Sequence, residues 1–122
     1  INEDRGRIDK PIREFGSGRM GVDDKHGKRS ITDFKVIKRF NELTLLDVSI
    51  ITGRRHQIRV HLYSMGHPVV GDLRYGDLKI QNQFPRLMLH ASRIEFQLLD
   101  KSNKVIESPL PKIITEFLDK LI

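Results

Sequence analysis

Hydrophobic positions change their spacing four times along this chain. Through residue 30 they are isolated, with Ile8, Ile12, Phe15, Met20 and Val22 standing among Gly, Arg and Asp in no helical or strand period, so residues 1–30 read as loop-rich. A structureless stretch of that length is uncommon inside a compact domain unless it has a task. From Ser30 to Phe40 the pattern alternates, with Ile31, Asp33, Lys35 and Ile37 on one side and Phe34, Val36 and Lys38 between them, which predicts a strand. Asn41-Glu42 supplies a turn, and Leu43 to Ile51 predicts an antiparallel partner.

The next segment is ambiguous by period. Ile58, Val60 and Leu62 alternate as in a strand, whereas Ile58, Leu62 and Met65 share one face of a helix. Boundary residues favour the helix: Thr52 as N-cap, Gly66 just past the end and Pro68 as a stop predict it over Arg54 to Met65. Beyond Gly76, Arg86 to Leu99 holds enough alternation for one long strand or two shorter ones. Lys104 to Glu107 is a candidate partner across the Asp100–Asn103 turn. Ser108-Pro109-Leu110-Pro111 interrupts the chain, and Ile113, Ile114, Phe117, Leu118 and Leu121 fall at helical spacing within Lys112 to Ile122. The fold class expected is α+β, a mostly antiparallel sheet with two or three helices.

At 122 residues the chain is one domain's worth or a part of one. Its net charge of +6 and isoelectric point near 9.8 raise the expectation of nucleic acid or another anionic partner. Without cysteine there is no disulfide framework, thiolate metal site or thiol nucleophile, which fits a reducing compartment. No run approaches the roughly 18 apolar residues of a membrane span, and the opening INEDRGRIDK is too polar for a signal peptide. We therefore expect a soluble, cytoplasmic protein with no membrane partner.

The charge is not spread evenly. Arg54, Arg55, His56, Arg59, His61 and His67 crowd between Gly53 and Gly71, with no acid before Asp72. If Thr52 caps the helix, Arg54 and Arg55 occupy its first turn against the macrodipole, and Arg55 with Arg59 makes a like-charge i, i+4 pair, each costing some tenths of a kcal/mol. Free backbone N–H groups beside arginines would instead suit phosphate or carboxylate. The blander reading is a solvated basic face.

Residues 52–62 (TGRRHQIRVHL), followed by Met65-Gly66-His67-Pro68-Val69-Val70-Gly71-Asp72 and Tyr75-Gly76, resemble the signature block of the RluA family of RNA pseudouridine synthases. Gly6-Arg7-Ile8-Asp9-Lys10-Pro11-Ile12, Gly27-Lys28, Leu87-Met88-Leu89-His90-Ala91 and Ser108-Pro109-Leu110-Pro111 are similar to further landmarks of that family, in the same order. The resemblance implies isomerisation of uridine to pseudouridine in rRNA or tRNA, without a cofactor. It also implies an essential aspartate in a His-Arg-Leu-Asp type segment, and an essential tyrosine, both upstream of the Gly-x-Ile-Asp-x-Pro-Ile segment. Neither segment is present here, so the chain reads as the C-terminal part of a synthase catalytic domain, inactive alone, whose partners are RNA and the missing N-terminal part. Arg59 matches the arginine that pairs with the catalytic aspartate. A guanidinium about 4 Å away would keep that carboxylate ionised. Leu62 would line the pocket for the flipped base, or serve as an ordinary core leucine. Arg54, Arg55, His56 and Gln57 are the candidate RNA contacts during base extrusion. A different class remains open, a non-catalytic RNA-binding remnant of the same fold.

Gly16-Ser17-Gly18-Arg19-Met20-Gly21 fits G-x-G-x-x-G by letter but follows no strand and opens no helix, so a dinucleotide site is not expected; a flexible basic loop is. The five histidines lack metal-ligand spacing, and His56 and His61 at i, i+5 point to different sides of a helix. No metal is expected.

Overall fold

The fold is a computed structural model in which residues 1–121 are described. It divides into two compact units, Ile1–Leu87 and a second beginning at Met88.

In the first unit, β1 (Arg5–Asp9), β4 (Ile31–Arg39) and β5 (Thr44–Ile50) form an antiparallel sheet in the order β1-β4-β5. β4 and β5 are the expected hairpin, closed through the Phe40 amide and the Leu43 carbonyl at 2.8 Å. A register shift between Val36 and Lys38 leaves Ile37 unpaired and exposed. The loop expectation for residues 1–30 is corrected: β1, β2 (Ile12–Glu14) and β3 (Met20–Val22) lie there, the last two as a separate hairpin. These strands are too short to show a period and owe their form to partners. Gly6 lies opposite Phe34, whose ring occupies the space a Cβ at Gly6 would fill, 2.7 Å away. Gly27 is likewise pressed on the Asp23 carbonyl and the Pro11 backbone. Ile12, Met20, Val60 and Tyr75 form a buried apolar cluster, with Val22 against it. Burying such side chains stabilises by about 1.5–3 kcal/mol each.

The helix α1 runs from Gln57 to Ser64, so the expectation of a start at Arg54 under a Thr52 cap is corrected. His56 holds the N-cap position with φ 56°, and no side chain caps it. Thr52 is occupied elsewhere: its hydroxyl accepts from the Ile31 amide at 3.0 Å and donates to Gln57 Oε1 at 2.7 Å. Arg54 and Arg55 therefore precede the helix, and the unfavourable helix pairing of Arg55 with Arg59 does not arise. At the other end Gly66 takes φ +82° directly after the C-cap Met65, as its position suggested. A one-turn helix α2 (Leu78–Gln81) is capped by the Asp77 carboxylate on the Lys79 amide.

The second unit holds β6 (Arg93–Gln97) and β7 (Asn103–Glu107), an antiparallel hairpin with all ten residues exposed, and helix α3 (Lys112–Lys120). Strand structure thus begins at Arg93 rather than Arg86. The alternating stretch at its start meets no strand, because the Arg86 and Leu87 backbone lies against Gly71 instead. Ile122, expected in the last helix, lies outside the described residues. The α+β class holds, though the strands form three small sheets among the described residues.

Candidate RNA-modification site

A buried chain of hydrogen bonds seats α1 on the sheet. Gln57 is 2 % exposed, and every polar position of its amide is used. Its Nε2 donates to the Ile31 carbonyl at 2.8 Å and to Thr32 Oγ1 at 2.9 Å, while its Oε1 accepts from the Thr52 hydroxyl and, at 3.0 Å, from the Arg54 amide. Since Thr32 Oγ1 accepts from Gln57, its proton goes to His61 Nδ1 at 2.7 Å, and His61 Nε2 donates to the Lys10 carbonyl at 2.8 Å. His61 is fully buried, and this pattern requires the neutral Nε2–H tautomer. Burial pushes its pKa below the ordinary histidine value, against the opposing effect of the bond to the Lys10 carbonyl.

The assignment of Gln57 as an RNA contact is thereby corrected: it has no free donor or acceptor. Arg54 hooks back through Nε and Nη2 to the Arg29 carbonyl at 3.2 and 3.1 Å. Arg55 is exposed and reaches Glu14 at 3.4 Å, an ion pair between exposed side chains that stabilises little.

Arg59 lies on α1 beside the Gly71–Gly76 turn and meets Asp72 edge-on. Nε is 2.9 Å from Oδ2 and Nη2 is 2.8 Å from Oδ1. Asp72 is fully buried and also accepts the Arg74 and Tyr75 amides at 3.0 Å each. Burial alone would raise its pKa, but the Arg59 guanidinium and the two amides hold it below the usual carboxylate range. Arg59 thus has a structural carboxylate partner within this chain, one that the sequence reading did not pair with it. The signal was the first acid after an arginine-rich segment. Gly71 makes the turn possible: its φ is +81° and a Cβ would fall 1.9 Å from the Arg86 carbonyl oxygen. Its amide donates to the buried Gln81 side chain at 2.7 Å.

Tyr75, 2 % exposed, is the hub of the site. The Arg59 and Arg19 guanidinium carbons stand 5.2 and 4.6 Å from its ring centre. Its hydroxyl is 2.7 Å from His56 Nδ1 and accepts the Met20 amide at 3.4 Å. His56 thus adopts a left-handed backbone, which costs a non-glycine residue about 1–2 kcal/mol, with its ring tied to a buried phenol. Burial first, then the charges of Arg59, Arg55 and Arg74, lower its pKa. These effects favour the neutral form of His56, and the two histidines point to different partners, as their spacing implied. Leu62 is buried at 6 % exposure, as a core leucine is. Among the described residues no helix is long and apolar enough to cross a membrane.

Residues 1–64, which include Arg59 and its flanking segment, match the family model described as RNA pseudouridylate synthase. The chain belongs to that family. Among curated pseudouridylate synthases it is 40% identical to ribosomal large subunit pseudouridine synthase C of Buchnera aphidicola subsp. Baizongia pistaciae, over 94% of this chain and 40% of the relative. It is 37% identical to the uncharacterized RNA pseudouridine synthase YlyB of Bacillus subtilis, over 99% of this chain and 40% of the relative. The solved structure of human RNA pseudouridylate synthase domain containing 1 superposes with TM-score 0.78 at 30% identity, covering 99% of this chain and 60% of that one. The chain thus spans about 40% of the length of these curated pseudouridylate synthases.

Proposed function

We propose that this chain is the arginine-bearing part of an RNA pseudouridine synthase that isomerises uridine in rRNA or tRNA in the cytoplasm. Arg59 is the observation that carries the reading. Asp72 engages only its Nε and one Nη2 hydrogen, so three of its five N–H donors remain for a second anion. A catalytic aspartate supplied by a preceding segment would meet that free edge and stay ionised, as nucleophilic or general-base work requires. The isomerisation detaches uracil from its ribose, turns it and rejoins it through carbon, so the carboxylate needs a fixed place while the base moves. Leu62 would then border the base, and Arg54, Arg55 and His56 would meet the backbone of the extruded nucleotide. The +6 charge and the family match support the same substrate class.

The test compares the 122 residues alone with a longer product carrying a His-Arg-Leu-Asp type segment upstream. After incubation with ribosomal and transfer RNA, the nucleosides are separated and pseudouridine counted. The longer product should turn over, and the R59A variant of it should not. Pseudouridine formed by the 122 residues alone would overturn the upstream placement of the aspartate.

A further inference from the structure

The expectation that the Gly16–Gly21 loop follows no strand is corrected, since β2 precedes it, although it opens onto β3 and not onto a helix, and the fold gives its arginine a defined place. It is the tight turn of the β2–β3 hairpin, closed by bonds between Phe15 and Arg19 at 2.9 Å and between the Gly18 amide and the Phe15 carbonyl at 2.8 Å, with Gly18 at φ +81°. Arg19 projects from it onto Tyr75, and its Nη1 donates to the Arg74 carbonyl. A third contact is less expected: Arg19 also stands 5.7 Å from the ring of Tyr63.

Tyr63 differs from Tyr75 in being 48 % exposed. It sits one turn after Arg59 on α1, with its ring tilted 43° to Tyr75 at 6.4 Å between centres. A half-exposed aromatic ring thus adjoins Arg19. No carboxylate lies within ion-pairing distance of Arg19 or Arg74 among the described residues, whereas Arg59 has Asp72 and Arg55 has Glu14. Arg19 and Arg59 both lie over the Tyr75 ring, and of the two only Arg59 has a carboxylate partner. That excess of positive charge suits an added anion. An exposed ring beside it suits a flat, unpaired base, since stacking on an aromatic side chain needs a base that is free of its duplex.

We propose that Tyr63 and Arg19, the latter held by the Arg74 carbonyl, form a subsite for one nucleotide of single-stranded RNA next to Arg59. The base stacks on Tyr63 and the phosphate meets the guanidinium of Arg19. The inference rests on the RNA-modifying reading above and adds a second nucleotide position, outside the aspartate-holding edge of Arg59.

The test uses the 122-residue chain and a fluorescently labelled ten-nucleotide oligouridine, with anisotropy measured across a salt series. Replacing Tyr63 by Ala should weaken binding about five- to a hundredfold, the effect of losing one stacked base. Y63F, which keeps the ring, should stay within about twofold. R19A should reduce the slope of log affinity against log salt by about 0.7, the value for one phosphate contact on a single strand, and R19K should keep the slope. Urea midpoints of each variant exclude misfolding as the cause. Wild-type chain that binds no oligouridine overturns the inference. So does an affinity for inorganic polyphosphate equal to that for oligouridine together with no loss in Y63A. Unchanged binding in the variants while the longer product makes pseudouridine overturns the subsite alone. No pseudouridine, but intact losses in Y63A and R19A, overturns the modifying function and leaves the subsite standing.

Discussion

Replacing Asp72 by Asn tests whether the Arg59–Asp72 pair holds the site together. The change is nearly isosteric. With Oδ1 kept toward the Arg74 and Tyr75 amides, the new Nδ2 takes the place of Oδ2, where it faces the Arg59 Nε–H and two donors meet. Asp72 is fully buried and the Arg59 side chain 18 % exposed, so the guanidinium is left with a weakened partner in a site poor in water. Charge-assisted hydrogen bonds contribute about 1.5–3 kcal/mol each, and stranding one member of a buried pair costs about 3–5. The partial exposure of Arg59 lowers this, and we expect D72N to destabilise by about 2–4 kcal/mol. For a unit of this size that is a fall of on the order of 10 °C or more in Tm. A double-mutant cycle with R59M separates the pair from the lost charge on the amides, because the amide effect appears in both D72N arms and cancels. The coupling should be at least about 1.5 kcal/mol. The chain has no Trp and only two Tyr, Tyr63 and Tyr75, both in the first unit, so tyrosine fluorescence during urea unfolding reports that unit. A coupling below about 0.5 kcal/mol would refute the reasoning, since distant and independent sites already agree to within that margin.

Two further outcomes follow from the buried hydrogen bonds. His61 has a folded pKa below its unfolded value of about 6.5, so the unfolded chain takes up protons first as pH falls; its contribution is complete above about 6.5 and is lost from there down through the folded pKa. The urea midpoint should therefore fall as pH drops below about 6.5, and nitrogen-15 NMR at pH above about 7 should show neutral His61 with the proton on Nε2; an Nδ1–H tautomer or a His61 titration midpoint at or above about 6.5 contradicts the assignment. Q57L should destabilise by about 2–4 kcal/mol through the partners it leaves unpaired, whereas R54A should shift stability by less than about 1 kcal/mol and lower RNA affinity; thermal melts and anisotropy on both variants check the contrast, and the reverse pattern refutes it.

Much of the fold was legible because its signals were local. The β4–β5 hairpin alternates cleanly, and Gly66 with Pro68 marks where α1 ends. What escaped reading depended on residues far apart in the chain. β1 has no period of its own and exists because it pairs with β4, and Gly6 acquires its meaning from a phenylalanine 28 positions later. Thr52 has the composition of a cap, yet its hydroxyl is more useful between Ile31 and Gln57, so the helix begins at Gln57 without a side-chain cap. The site divides in the same way. Arg59 stood out by the company it keeps, but its acid and its tyrosine come together from one later turn and the arginine across that tyrosine from the β2–β3 hairpin, segments that only folding brings to it. Gln57 shows the opposite error: a polar residue within a basic segment suggested a surface contact, and burial made it a bracket for the backbone.

The hydrogen bonds running from Ile31 through Thr52, Gln57, Thr32 and His61 to Lys10 have a consequence for how freely the molecule can vary. Apolar packing tolerates exchange among side chains of similar volume and permits small slips. A buried run in which each hydroxyl, amide or imidazole gives in one direction and receives from the other permits neither, since rotating α1 by one residue would leave several polar atoms dry at once. The joint between helix and sheet is therefore oriented as well as adhesive. A site that must place a guanidinium to within a few tenths of an ångström gains from being mounted on it.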